Sequence, residues 1–132
     1  VTQIHTGTAV GKLVGTRAEA TLLADMLRER RMNALPHMAL EQDWGDIKSA
    51  FPVSSGGLHP GLVPDVLDIY GTDLVLLVSG GIHGHPEGTR AGAMAVMQAI
   101  EAWQEGESLD EKANHAPELK KALEKWGYYK PK

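Results

Sequence analysis

The chain has 132 residues, 42% of them hydrophobic, which is enough for one ordinary domain with a real core. Thirteen Lys and Arg against seventeen Asp and Glu give a net charge of −4, which argues against nucleic acid as the default partner. No apolar run approaches the ~18 residues of a membrane span, and without cysteine there is no disulfide framework, thiolate metal site or cysteine nucleophile.

In chain order, residues 1–12 read as the end of a strand followed by a glycine-punctuated loop. Thr16 with Glu19 fits a capping box, and Leu22, Leu23, Met26 and Leu27 share one face of a helix over residues 17–31. A polar connection containing Pro36, Gln42 and Gly45 leads to a short strand within 51–57 that ends in a turn. Pro64 suits a first helical position, and Val66, Leu67 and Tyr70 predict a short helix stopped by Gly71. Residues 73–78 form a continuous apolar run, the pattern of a parallel strand buried on both faces. A helix is predicted from about Gly88 to Glu105, with Val96, Ile100 and Trp103 on one face and Gly106 as its stop. Ser108 with Glu111 makes a second capping box. Leu119, Leu123 and Trp126 then stripe a helical tail that ends at Gly127.

Three strand-loop-helix units followed by helices predict an α/β fold with a parallel sheet. Right-handed crossovers place every strand-to-helix loop on one sheet edge, where α/β proteins bind ligands. Two of those loops carry Ser54-Ser55-Gly56-Gly57 and Ser79-Gly80-Gly81. Paired glycines at strand ends let backbone N–H groups turn towards an oxyanion with no Cβ in the way. Either turn alone reads as a plain tight turn; the pair at equivalent positions reads as a phosphate grip, as after the last strands of (β/α)8 barrels. The first loop adds His5 at a strand end and Lys12 between Gly11 and Gly15, a cation on a segment able to close over an anion. GTAVGKL is not a P-loop, because its spacing is one residue short and Leu13 replaces the required Ser or Thr. His83-Gly-His85 is read as the start of a helix in preference to a metal pair, since no carboxylate or third histidine lies at a suitable spacing. His37, His59 and His115 are read as surface or turn residues, and Asp65 with Asp68 as a solvated helix face.

The segments HTGTAVGKL at 5–13, FPVSSGGLHPG at 51–61 and LLVSGGIHGHPEG at 76–88, with TRAGA at 89–93, occur in one order and spacing. In these motifs the chain resembles the large subunit of ribulose-1,5-bisphosphate carboxylase/oxygenase (RuBisCO), and LHPG and HGHPEGTRAGA look most like the archaeal type III enzymes. The resemblance implies strands 6–8 of a (β/α)8 TIM barrel with their helices over residues 1–106, then a C-terminal helical tail over 107–132. It implies addition of CO2 to the Mg-bound enediolate of ribulose bisphosphate, giving two 3-phosphoglycerates. Lys12 then corresponds to the mobile lysine that stabilises the carboxylated intermediate, and His5 to the histidine at one phosphate. Ser55 corresponds to the serine bonding a substrate oxygen; Gly56, Gly57, Ser79 and Gly80 correspond to backbone donors around the other phosphate.

Ser79 departs from the family pattern, standing where the first of three glycines is usual. The family's Mg2+ is held by a carbamylated lysine with a neighbouring Asp and Glu, and no Lys-x-Asp-Glu occurs here. Those ligands are expected upstream, and Val1 in place of an initiator Met fits a chain processed or excised from something longer. Expected partners are ribulose-1,5-bisphosphate, CO2 or O2, the remainder of the subunit and a second copy in a homodimer or higher oligomer; the expected location is cytoplasmic. The rival readings are a RuBisCO-like enolase or isomerase acting on a related sugar phosphate, and a non-catalytic fragment acting as a structural module.

Overall fold

A computed structural model describes residues 1–10 and 16–128. The strands are β1 (Gln3–His5), β2 (Arg31–Met32), β3 (Gln42–Asp43), β4 (Phe51–Ser55) and β5 (Val75–Leu77). The helices are α1 (Arg17–Arg28), α2 (Val63–Tyr70), α3 (Gly80–His83), α4 (Thr89–Glu105), α5 (Leu109–Ala113) and α6 (Pro117–Trp126), with a 3-10 turn at Pro60–Leu62. The expected alternation of strand and helix is present. β1, β4 and β5 form a parallel sheet in the order β1-β4-β5, pairing His5 with Val53 and Ser55 with Leu77. β2 and β3 form a separate antiparallel hairpin that the sequence had read as plain connection.

That hairpin explains why α1 stops at Arg28 and not at residue 31. The last carbonyls of a helix lack intrahelical donors, and here the following segment supplies them. Gln42 Nε2 donates to the carbonyls of Met26 (2.9 Å) and Glu29 (3.1 Å), and the Trp44 indole N–H also donates to Met26 (2.9 Å). Ser49 Oγ donates to Arg28 O at 2.7 Å, and the Ala50 N–H to Leu27 O at 2.9 Å. At the other end Thr16 caps α1 as expected: its Oγ1 accepts from the Glu19 N–H at 3.2 Å, and its own N–H donates to Glu19 Oε2 at 2.7 Å.

Two apolar clusters fill the space between sheet and helices. Val63, Leu67, Val96, Ala99, Leu109 and Leu119 bring α2, α4, α5 and α6 together. Ala20, Ala24, Leu58, Leu62, Val66 and Tyr70 join α1 to α2 and the β4–α2 loop. Leu74, Leu76 and Val78 touch both clusters, so alternate residues of the third strand region face the helices. The strand is therefore not buried on both faces, as its continuous apolar run had suggested. Leu77 is 44% exposed and Phe51 on β4 is 53% exposed, because no described element covers the opposite face of the sheet.

The helices after β5 pack closely around α4. Gly92 marks the tightest approach: a Cβ there would lie 2.1 Å from the Ile82 carbonyl oxygen. Gly106 ends α4 in the left-handed conformation, with φ 71°. Ser108 caps α5 through the expected box, its Oγ accepting from the Glu111 N–H at 3.2 Å. Asp68 is not simply solvated, since its carboxylate accepts from the Trp103 indole N–H at 2.7 Å and ties α2 to α4.

Candidate functional site

Because β1, β4 and β5 run parallel, their C-terminal ends share one edge, and each chain exit there is a loop read from sequence as functional. The pleat puts His5 and Ser55 on the same face, and the His5 Nδ1 lies 2.8 Å from Ser55 Oγ. The chain then turns through Gly56 (φ 110°) and Gly57 (φ 70°), conformations that a side chain would resist. Among the described residues no backbone carbonyl accepts from the N–H groups of Gly56, Gly57, Gly80 or Gly81. These donors remain available to a ligand.

His5, Ser55, Gly56, Gly57, Ser79 and Gly80 all line one cleft of about 560 Å3. Among the described residues no carboxylate lines it, so none of their charges opposes an anion there. Ser79 has φ −113° and makes no side-chain cap bond; a negative φ does not call for glycine. Lys12 lies outside the described residues. The start of its loop is anchored: the hydroxyl of the fully buried Tyr70 donates to the Gly7 carbonyl at 3.1 Å.

One lining residue was misread from sequence. His59 is neither a surface nor an ordinary turn residue: it is 8% exposed and lines the cleft. Its ring stacks on Trp126 of α6, with centroids 5.9 Å apart and planes 16° from parallel. Burial pushes its pKa below the ordinary histidine value of 6.5, so the imidazole is held neutral. The local signal was its place directly after the glycine turn, in Leu58-His59-Pro60; the partner that buries it is 67 residues downstream by number and gave no local sign.

His85 is also buried, at 4% exposure, and its role is structural. Its Nδ1 accepts from the Glu87 N–H at 3.1 Å, so the ring proton sits on Nε2, which donates to the Glu118 carbonyl at 2.9 Å. Both nitrogens are engaged, which removes the lone pair a metal would need. His83 Nδ1 lies 3.2 Å from Thr89 Oγ1. Among the described residues no three His, Cys, Asp or Glu side chains are grouped to hold a metal ion. Among those residues, too, no helix is long and apolar enough to cross a membrane.

Residues 1–126 match the family described as ribulose bisphosphate carboxylase large chain, catalytic domain. The chain belongs to the RuBisCO large-chain family. It is 51% identical over 132 residues to the ribulose bisphosphate carboxylase of Pyrococcus furiosus, covering 100% of this chain and 28% of that one. The fold is similar to that of the dimeric archaeal RuBisCO from Hyperthermus butylicus, with TM-score 0.85 and 44% identity over 97% of this chain and 30% of that chain. It is also similar to the octameric RuBisCO of Pyrococcus horikoshii, with TM-score 0.78 and 46% identity over 99% of this chain and 28% of that chain. The chain thus spans under a third of the length of these RuBisCO relatives.

Proposed function

We propose that this chain is the C-terminal part of a RuBisCO catalytic subunit: the last three βα units of a (β/α)8 barrel over residues 1–106, followed by a helical tail over 107–132. In the whole subunit the reaction joins ribulose-1,5-bisphosphate, CO2 and water into two molecules of 3-phosphoglycerate. The observation that carries this reading is the single cleft at the sheet edge, where two glycine turns with free N–H groups meet the His5–Ser55 pair.

The N–H groups of Gly56, Gly57, Ser79 and Gly80 hold one phosphate by backbone donation, which costs no reorganisation because the turns are already formed. When the Ser55 hydroxyl donates to His5 Nδ1, the ring proton sits on Nε2 and is available to the other phosphate. The Ser55 oxygen, whose two lone pairs that bond leaves free, then accepts from a substrate hydroxyl. Lys12 supplies the ammonium that offsets the carboxylate formed when CO2 adds. The described residues do not fit the family's magnesium site, for they contain no grouped set of ligands. The carbamylated lysine and the carboxylates that hold Mg2+ belong, in this reading, to the upstream part of the subunit. The dimeric and octameric relatives support assembly with a second copy.

The test is fixation of 14C-bicarbonate in the presence of ribulose-1,5-bisphosphate and Mg2+, with the chain joined to the upstream segment of its subunit. Acid-stable label in 3-phosphoglycerate is the expected result. Turnover of a thiosugar phosphate with no fixation would replace it with the enolase or isomerase reading; neither activity would leave a structural module.

A further inference from the structure

Resting on the phosphate-cleft reading, we propose that the stacked pair His59–Trp126 positions the anion cradle, so that the C-terminal helix α6 governs ligand affinity without donating a hydrogen bond to the ligand. α3 carries Gly80 and Gly81 and lies against both of these residues. At its first turn a Cβ on Gly81 would lie 2.3 Å from the Leu58 carbonyl oxygen and 2.6 Å from His59 Cα, so this turn rests directly on the His59 backbone. At its end a Cβ on Gly84 would lie 3.4 Å from Trp126 Cζ2, so the indole supports the last turn.

The neighbouring Lys125 fixes the same end. Its Nζ donates to the Gly84 carbonyl and sits 5.1 Å from the centre of the Trp126 ring, a cation–π distance. A third contact joins α6 to the loop beneath: Gly61 approaches the Gly127 carbonyl so closely that a Cβ would lie 2.1 Å from the oxygen. The donors of both glycine turns thus share one support, built from the β4–α2 loop on one side and the end of α6 on the other.

The ring surface of His59, and not its polarity, is what the arrangement uses. His59 Nδ1 is buried with no hydrogen-bond partner among the described residues, and burial keeps the ring uncharged. An aromatic of similar size can therefore replace it, whereas a flexible polar chain cannot. Trp126 follows the same logic, because a flat ring is needed against both His59 and Gly84.

The experiment is a titration of the full chain with inorganic phosphate, followed by the amide resonances of Gly56, Gly57, Gly80 and Gly81. Trp126→Leu and His59→Gln are expected to weaken phosphate about tenfold, since a small misplacement of preset donors is costly. Trp126→Phe and His59→Phe are expected to stay within about threefold of the unchanged chain. A chain whose glycine amides ignore phosphate removes the cleft reading itself. If phosphate binds, the positioning role is overturned by either of two results. One is a folded Trp126→Leu or His59→Gln chain that binds as the unchanged chain does. The other is a His59→Phe loss equal to that of His59→Gln, which would give the role to the ring nitrogens. Should Trp126→Leu lose its dispersed spectrum, the two His59 variants decide the matter alone.

Discussion

At the scale of single residues the cleft depends on what is absent as much as on what is present. Gly56 and Gly57 lack a Cβ because their backbone turns left-handed; Gly81 lacks one because the Leu58 carbonyl already occupies that space. At His59 burial has a consequence for the pH dependence of stability. Its folded pKa lies below the ordinary value of 6.5, so between the two values the unfolded chain binds more protons than the folded one. The contribution is fully present above the ordinary histidine range and is lost as pH falls through it, levelling off below the folded pKa. Urea unfolding between about pH 8 and pH 5 should show this decline, and the decline should be shallower in His59→Phe, where the buried base is gone. Identical pH profiles would show that His59 is not held neutral.

At the scale of elements, ends decide more than middles. Thr16 and Ser108 start α1 and α5 with reciprocal hydrogen bonds written into four adjacent residues, which is why both starts were legible in the sequence. The end of α1 was not legible, because the groups that satisfy its carbonyls come from Gln42, Trp44, Ser49 and Ala50. Gln42 serves two of those carbonyls at once. Gln42→Ala should lower stability by about 1–2 kcal/mol through the lost hydrogen bonds. Hydrogen exchange should quicken at the amides of the last turn of α1 and stay unchanged in α4. Equal quickening in both helices would mean that the bond network is not local to α1.

At the scale of the whole molecule, the described elements cover the sheet on one face only. Among the described strands β1 and β5 are the edges of the sheet, and Phe51 and Leu77 are exposed on the open face. Unpaired strand edges beside apolar surface favour association. Light scattering behind size-exclusion chromatography should therefore show a mass that rises with concentration for the isolated chain. Leu77→Lys should reduce that rise by placing a charge on the open face. A monomer that persists at every concentration would show that the edges are protected in another way. Supplying the upstream segment should compete with self-association if that segment covers the same surface.

The sequence by itself determined what depends on near neighbours. The two capping boxes, the glycine stops at Gly71, Gly106 and Gly127 and the glycine turn at Gly56 and Gly57 follow from contacts within a few residues, or from a backbone conformation that only glycine adopts at no cost; the parallel α/β order follows from the alternation of elements along the chain. The three family motifs could be read for the same reason. Only the tertiary structure decided the surroundings of His59, the tautomer of His85, the partner of Asp68 and the open face of β5. Each depends on a group dozens of residues away or on a covering layer, and burial and hydrogen bonding at such a position are properties of the assembled neighbourhood. Local pattern could place the glycine loops on one edge; the stack of His59 on Trp126 became visible only when α6 was laid against the β4–α2 loop.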